Sequence, residues 1–188
     1  GSEQERADDG TIREVLLPPG RTATGIDSWG DHTCAVLDDG SMVCWGGGND
    51  GALGNGGLDD MFSPSYVSLP EGSRARSVSV GPSVTCTILD DQSVMCWGYN
   101  DFGQLGGGNI SEGQVDLPSF HVSLPEGTKA IALDSGSRHS CIISSLRSLF
   151  CWGHNGNGQL GGEEFLGEIP TSVQVVQVQL EAGITPSS

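Results

Sequence analysis

Cys34-Ala35-Val36-Leu37-Asp38-Asp39-Gly40-Ser41-Met42-Val43-Cys44, followed at once by Trp45-Gly46, is the stretch on which the fold turns. An Asp-Asp-Gly turn separates two short apolar runs, which reads as a β-hairpin. Setting Cys34 opposite Cys44 places Val36 opposite Met42 and leaves a three-residue loop, with Gly40 free to take the left-handed position of a bulged turn. Val36 and Met42 lie on one face, and Ala35, Leu37 and Val43 on the other. A sheet apolar on both faces is covered on both faces, and stacked sheets meet that requirement.

The hairpin recurs. Cys86 and Cys96 bracket Asp90-Asp91-Gln92, and Cys141 and Cys151 bracket Ser145-Leu146-Arg147, each pair with nine residues between its members. Trp45, Trp97 and Trp152 follow the second cysteines at steps of 52 and 55 residues. A Leu-Pro-x-Gly landmark (Leu17 to Gly20, Leu69 to Gly72, Leu124 to Gly127) begins 28 residues before each tryptophan, whereas the distance from tryptophan to the next landmark is 24 or 27. Each unit thus has a rigid part and one tolerant loop. A further strand is predicted ahead of each hairpin, at Ala23 to Ser28, Ala75 to Val80 and Ala130 to Ser135, with Ile26, Val78 and Leu133 sharing one apolar position. A fourth, shorter strand is predicted at Tyr66 to Leu69 and Phe120 to Leu124. Val173 to Leu180 alternates with period two and reads as a closing strand for this chain or a neighbouring copy. Its register is open: Val173-Gln174-Val175 and Val178-Gln179-Leu180 both echo the segments at Val15, Val67 and Val122. Four short antiparallel strands per unit of about fifty residues predict an all-β protein of three propeller blades.

The motifs resemble the regulator of chromosome condensation (RCC1-like) repeats. Gly136-Ser137-Arg138-His139-Ser140 precedes the third hairpin, while Trp97-Gly98-Tyr99-Asn100-Asp101-Phe102-Gly103-Gln104-Leu105-Gly106 and Trp152-Gly153-His154-Asn155-Gly156-Asn157-Gly158-Gln159-Leu160-Gly161 follow the second and third. The first unit is looser, with Trp29 in place of Gly81 and Gly136, Gly48 and Ala52 in place of Asn and Gln, and Trp45, Gly51, Leu53 and Gly54 still aligned. The resemblance implies a ring of usually seven blades that serves as a rigid platform for other proteins, with no catalytic constellation common to the family. Three units leave such a ring incomplete, which admits three explanations: a homo-oligomer such as a six-bladed pair, part of a larger protein, or an open solenoid.

The organisation reads as a tag remnant and N-terminal tail over 1–14, repeats over 15–66, 67–121 and 122–177, a closing strand near 173–180, and a tail over 181–188. Eight basic against 24 acidic residues give a formal charge of −16, which repels nucleic acids and anionic membranes. No apolar run reaches the roughly 20 residues of a membrane-spanning helix, so membrane insertion is not expected.

Cysteines can be thiols, metal ligands or disulfides. Close Cys-x-x-Cys spacing for zinc or redox chemistry is absent, whereas facing hairpin positions suit a bridge. Cys34–Cys44, Cys86–Cys96 and Cys141–Cys151 are therefore assigned as disulfides, against the alternative of reduced buried pairs in the cytosol, and they imply an extracellular or other oxidising compartment. Asn109-Ile110-Ser111 is a glycosylation sequon. The paired aspartates Asp38-Asp39 and Asp90-Asp91 read as turn residues, and Asp59-Asp60 lies in a variable loop where a calcium contact stays open. His32 and His139 share a repeat position and are expected to hydrogen bond within their own blade. No nucleophile elbow, phosphate loop or general-base constellation points to an enzyme or a cofactor. Partner contacts are expected in the variable loops, at Asp59, Asp60, Met61 and Phe62 and at Glu163, Glu164, Phe165 and Leu166, with Tyr99 and Phe102 beside them. The function expected is a non-enzymatic protein-binding or self-assembling module. A carbohydrate-binding module, with Tyr99, Phe102 and Trp29 as platforms, is the second reading, and a GTPase exchange regulator the third.

Overall fold

A computed structural model describes residues 12–108, 114–161 and 172–178. Twelve strands form three antiparallel sheets of four, each strand beside its sequence neighbour. The first sheet holds β1 (Ala23–Trp29), β2 (His32–Leu37), β3 (Met42–Gly46) and β4 (Met61–Tyr66). The second holds β5 (Ala75–Val80), β6 (Val84–Leu89), β7 (Val94–Tyr99) and β8 (Gln114–His121). The third holds β9 (Ala130–Ser135), β10 (His139–Ser144), β11 (Leu149–Gly153) and β12 (Ser172–Val178). The one helical element among the described residues is a 3-10 turn at Asn49–Gly51.

The hairpins have the predicted register: Cys34 faces Cys44, Val36 faces Met42, and the equivalent cysteines pair in the other two sheets. All three pairs are disulfides with Cα atoms 4.1 Å apart. Gly40 takes the left-handed conformation at φ 81°, and Gln92 and Arg147 are held there at 69° and 64° without a glycine's freedom.

The fourth strands lie upstream of the predicted segments. β4 ends at Tyr66, where a strand was expected to begin, and β8 runs to His121. Both contain a proline, Pro64 or Pro118, which an interior strand would reject. Here each strand is the outer edge of its sheet and bulges opposite the tryptophan, between Ser65 and Met61 in the first sheet and between Phe120 and Val115 in the second. The closing strand β12 pairs with β11 of its own sheet, not with a neighbouring copy, and its register is settled: Val178 faces Leu149. Val67 and Val122 bond to the equivalent Met42 and Val94, so Val178 is their repeat counterpart.

Two apolar seams hold the sheets together. Cys34, Val36, Met42 and Cys44 of the first sheet meet Ala75, Val80 and Trp97 of the second. Cys86, Ile88, Val94 and Cys96 of the second meet Ala130, Ile142, Phe150 and Trp152 of the third. In both seams the disulfide face of one sheet meets the tryptophan face of the next, while Leu17 packs on the tryptophan face of the first sheet. The indole is the key of each seam: Trp97 Nε1 donates to the Ala52 carbonyl at 3.0 Å, and Trp152 Nε1 to the Gln104 carbonyl at 2.8 Å, both from fully buried rings. A Cβ on Gly54 would stand 2.5 Å from Trp97 Nε1, which is why that loop ends in glycine.

His32 corrects the expectation of bonding within its own blade. Its Nε2 lies 2.9 Å from Thr85 Oγ1 in the next sheet, and Thr85 gives its one hydroxyl proton to the Ala52 carbonyl at 2.8 Å. Thr85 therefore accepts from His32, which sits in the seam with Nε2 protonated. Burial pushes this histidine down to about 4, against the opposing pull of Asp31 and Asp27. Asp27 Oδ2 adds another bond across the same seam by accepting the Val80 N–H at 2.8 Å.

Candidate binding surface

The Trp-Gly-x-Asn loops that close each blade carry their own scaffolding. Asn100 Oδ1 accepts the Leu105 N–H at 3.1 Å and Asn155 Oδ1 the Leu160 N–H at 2.9 Å. The glutamines accept in the same way, Gln104 from Phe102 N at 2.9 Å and Gln159 from Asn157 N at 2.8 Å. These motif residues are structural braces, and they fix what lies between them, namely the outward side chains at 99, 101, 102 and 154.

Phe102 is the centre of a cluster drawn from two blades. The Arg138 guanidinium stacks over its ring at 4.5 Å from the centroid, the His154 ring meets its edge at 5.1 Å and 85°, and Tyr99 lies 6.4 Å away. The Tyr99 hydroxyl donates to Asp101 Oδ2, which raises the phenol above its ordinary range. Gln159 Nε2 donates to His154 Nδ1 at 2.8 Å, leaving the His154 proton on Nε2. His139, half-buried beside them, is pushed down by burial, with Asp134 opposing and His154 adding repulsion. The result is an exposed cation held over an aromatic face on a chain of net charge −16.

Of the residues expected from the sequence, Tyr99 and Phe102 belong to this cluster. Arg138 and His154 were not expected; the signal for them was the departure of Arg138 from Asp31 and Ser83 at one repeat position. Asp60 Oδ1 accepts the Gly48 N–H at 3.0 Å, so it braces the first blade's loop where Gly48 replaces the usual asparagine. Asp59 is exposed and its carbonyl packs against Gly48. Met61 corrects the picture of a surface anchor, because its side chain packs against the first seam. Phe62 does project, at 86% exposure, and Trp29 is exposed at 51%. Glu163, Glu164, Phe165, Leu166 and Asn109 lie outside the described residues.

Comparison with known proteins agrees with the geometry. The family model for the regulator of chromosome condensation (RCC1) repeat matches residues 39–88 and 91–143, and a second model of the same repeat matches 75–104 and 130–159. The ultraviolet-B receptor UVR8 of Arabidopsis thaliana is 34% identical over 180 residues, covering 95% of this chain and 39% of UVR8. Among solved structures, Prp20p from Saccharomyces cerevisiae, described with its binding to Gsp1p and histones, superposes with a TM-score of 0.74 at 20% identity, over 93% of this chain and 42% of that one. Human WBSCR16 gives a TM-score of 0.74 at 21% identity, over 86% of this chain and 39% of its own. The chain thus spans about two fifths of the length of each of these proteins.

Proposed function

The chain belongs to the regulator of chromosome condensation repeat family, and from that premise we propose that it is a non-enzymatic protein-binding module of an oxidising, extracytosolic compartment. The observation that carries the reading is the Phe102 cluster. Among the described residues the Arg138 guanidinium has no carboxylate within salt-bridge distance, and it is pre-set on the Phe102 ring. Such a cation has little freedom left to lose on binding, and it meets an acidic group of a partner with an aromatic surface beside it. The three disulfides support the compartment, since such bonds persist where thiols are not kept reduced. Protein binding by Prp20p supports the use of this fold as a platform. Sugar recognition is the weaker reading because Arg138 covers the Phe102 face that a pyranose ring would need.

The test is capture of proteins from the extracellular fraction of the host by immobilised chain. The expected result is retention of a specific protein that Phe102→Ser combined with Arg138→Ser weakens at least tenfold. Retention undiminished by the double variant, or binding on a glycan array in place of protein capture, refutes the reading.

A further inference from the structure

The first strand of each blade carries a bulge. In the second sheet Ala75 faces Leu89 and Ser77 faces Ile88, which leaves Arg76 as the extra residue of β5, and Thr24 and Ile131 are the extra residues at the same position of β1 and β9. Successive strand residues ordinarily point to opposite faces. A bulge re-aims one of them, and here the consecutive residues Arg76 and Ser77 line one cavity. The cavity, of about 290 Å³, lies between the second and third sheets at the hairpin-turn end of their seam. Gln92 of the β6–β7 turn is a further polar wall, and Ile88, Ala130 and Ile131 are the apolar ones.

The three bulge residues differ in chemistry and in what they bond. Thr24 Oγ1 donates to the Val36 carbonyl of its own sheet at 3.3 Å, and Ile131 is apolar. Arg76 is exposed, and among the described residues it has no carboxylate within salt-bridge distance and no hydrogen-bond acceptor. The Gln92 backbone bonds Leu89 and Ala130, while its carboxamide has no partner among the described residues. Ser77 Oγ is buried and equally unpartnered, a hydroxyl that calls for a bond from whatever fills the cavity. The carboxylate nearest in sequence is already engaged: Asp91 Oδ1 accepts the Ser93 N–H at 2.8 Å and the Ser93 hydroxyl at 2.6 Å. Lys129 Nζ donates to the Asp91 carbonyl at 2.7 Å, which holds a second cation beside the same turn.

We propose that this cavity is a binding site for a carboxylate on a short aliphatic stem, the chemistry of a glutamate side chain of a partner protein or of a free short-chain acid. The Arg76 guanidinium meets the carboxylate, the Ser77 hydroxyl and the Gln92 amide donate to its oxygens, and Ile88, Ala130 and Ile131 receive the stem. A dianion such as phosphate fits less well, because one guanidinium lines the cavity and a chain of net charge −16 opposes a second negative charge. The volume stands at the lower end of the roughly 300–1,000 Å³ of small-molecule sites, which suits one side chain or a small acid. The cavity shares no residue with the Phe102 cluster and lies at the opposite end of the strands, so the two sites stand or fall separately.

Titration of ¹⁵N-labelled, non-reduced chain with butyrate and, in a second arm, with N-acetylglutamic acid α-methylamide, each to about 50 mM and followed by backbone amide shifts, tests the proposal. The expected result is a saturable shift centred on the amides of Arg76, Ser77, Gln92 and Ile131 that butyramide and the corresponding glutamine derivative do not reproduce. Arg76→Gln weakens binding of the acid at least tenfold with an unchanged circular dichroism spectrum. Ser77→Ala weakens it about threefold and leaves the unliganded chain no less stable, because the hydroxyl removed is unpartnered; a serine with a purely structural role would show the reverse. Saturation by the glutamate derivative assigns the site to a protein side chain, and saturation by butyrate alone assigns it to a free acid. No saturable shift with either acid, equal shifts with the amides, or binding undiminished in Arg76→Gln overturns the inference.

Discussion

Replacing one tryptophan at a time by phenylalanine separates the seams from the blades. Trp45, Trp97 and Trp152 occupy one repeat position after the same disulfide, yet only Trp97 and Trp152 have a sheet in front of them. Trp97→Phe removes an indole that is fully buried and bonded to the Ala52 carbonyl. That carbonyl keeps the Thr85 hydroxyl as a partner, so the lost bond costs only about 1 kcal/mol and no orphaned acceptor adds to it. The ring loses roughly 40 Å³, which at about 24 cal/mol per Å³ of unfilled cavity adds about 1 kcal/mol, and the lost transfer energy brings the total to about 2–3 kcal/mol. Trp152→Phe costs about 1 kcal/mol more, because Trp152 is the one donor to the buried Gln104 carbonyl among the described hydrogen bonds, and Ser140, the counterpart of Thr85, bonds Ser135 instead. Trp45 is half-buried and packs only against its own sheet and Leu17, so its substitution costs under about 1 kcal/mol. Urea unfolding of dilute, non-reduced protein followed by far-ultraviolet circular dichroism gives the three values on a common slope. Equal costs at Trp45 and Trp97 would refute the seam argument, since the indole would then matter only to its own blade.

His32 predicts an acid sensitivity with a defined window. Its folded pKa of about 4 lies below the 6.5 of the unfolded chain, so the unfolded state binds the extra proton first: the contribution is whole above pH 6.5 and falls away by roughly 3 kcal/mol on going down to pH 4. Urea midpoints of His32→Gln should lose most of that pH dependence, and a wild-type slope in the variant would count against the buried neutral imidazole. Arg147→Gly should stabilise the chain by up to about 1 kcal/mol in thermal unfolding, because the left-handed backbone there costs arginine more than glycine. Removal of the Cys86–Cys96 bridge by double substitution with alanine should cost about 2–3 kcal/mol, the loop-entropy value for so short a ring, while leaving the sheet count unchanged by circular dichroism.

The hairpins were legible because three signals coincide in them: alternation, a turn sequence, and cysteines at facing positions that allow only one register. The strand ahead of each hairpin was legible from the repeated alanine, whose small side chain is what the seam accepts at Ala75 and Ala130. The fourth strand was misplaced for a physical reason. Val67-Ser68-Leu69 alternates as a strand does, but Val67 makes one bond to Met42 and the chain then turns, with Leu69 N bonding the Val67 carbonyl. The true strands carry Pro64 and Pro118, and their tolerance depends on being outermost, which is a property of the assembled sheet and not of the local sequence.

The candidate site was half legible for a related reason. Tyr99 and Phe102 stand out within one repeat, but the cluster that gives them meaning needs Arg138 and His154, which come from the next repeat and are brought over by stacking. Reading variable loops as binding loops selected Met61, whose apolar side chain the first seam absorbs. In a stacked array, an exposed functional residue differs from its repeat counterparts in chemistry, as Arg138 differs from Asp31 and Ser83. A residue awaiting a neighbouring sheet keeps the chemistry and differs in exposure, as Ala23 differs from Ala75 and Cys141 from Cys86. The first kind of difference marks a surface for foreign partners and the second a surface for another blade.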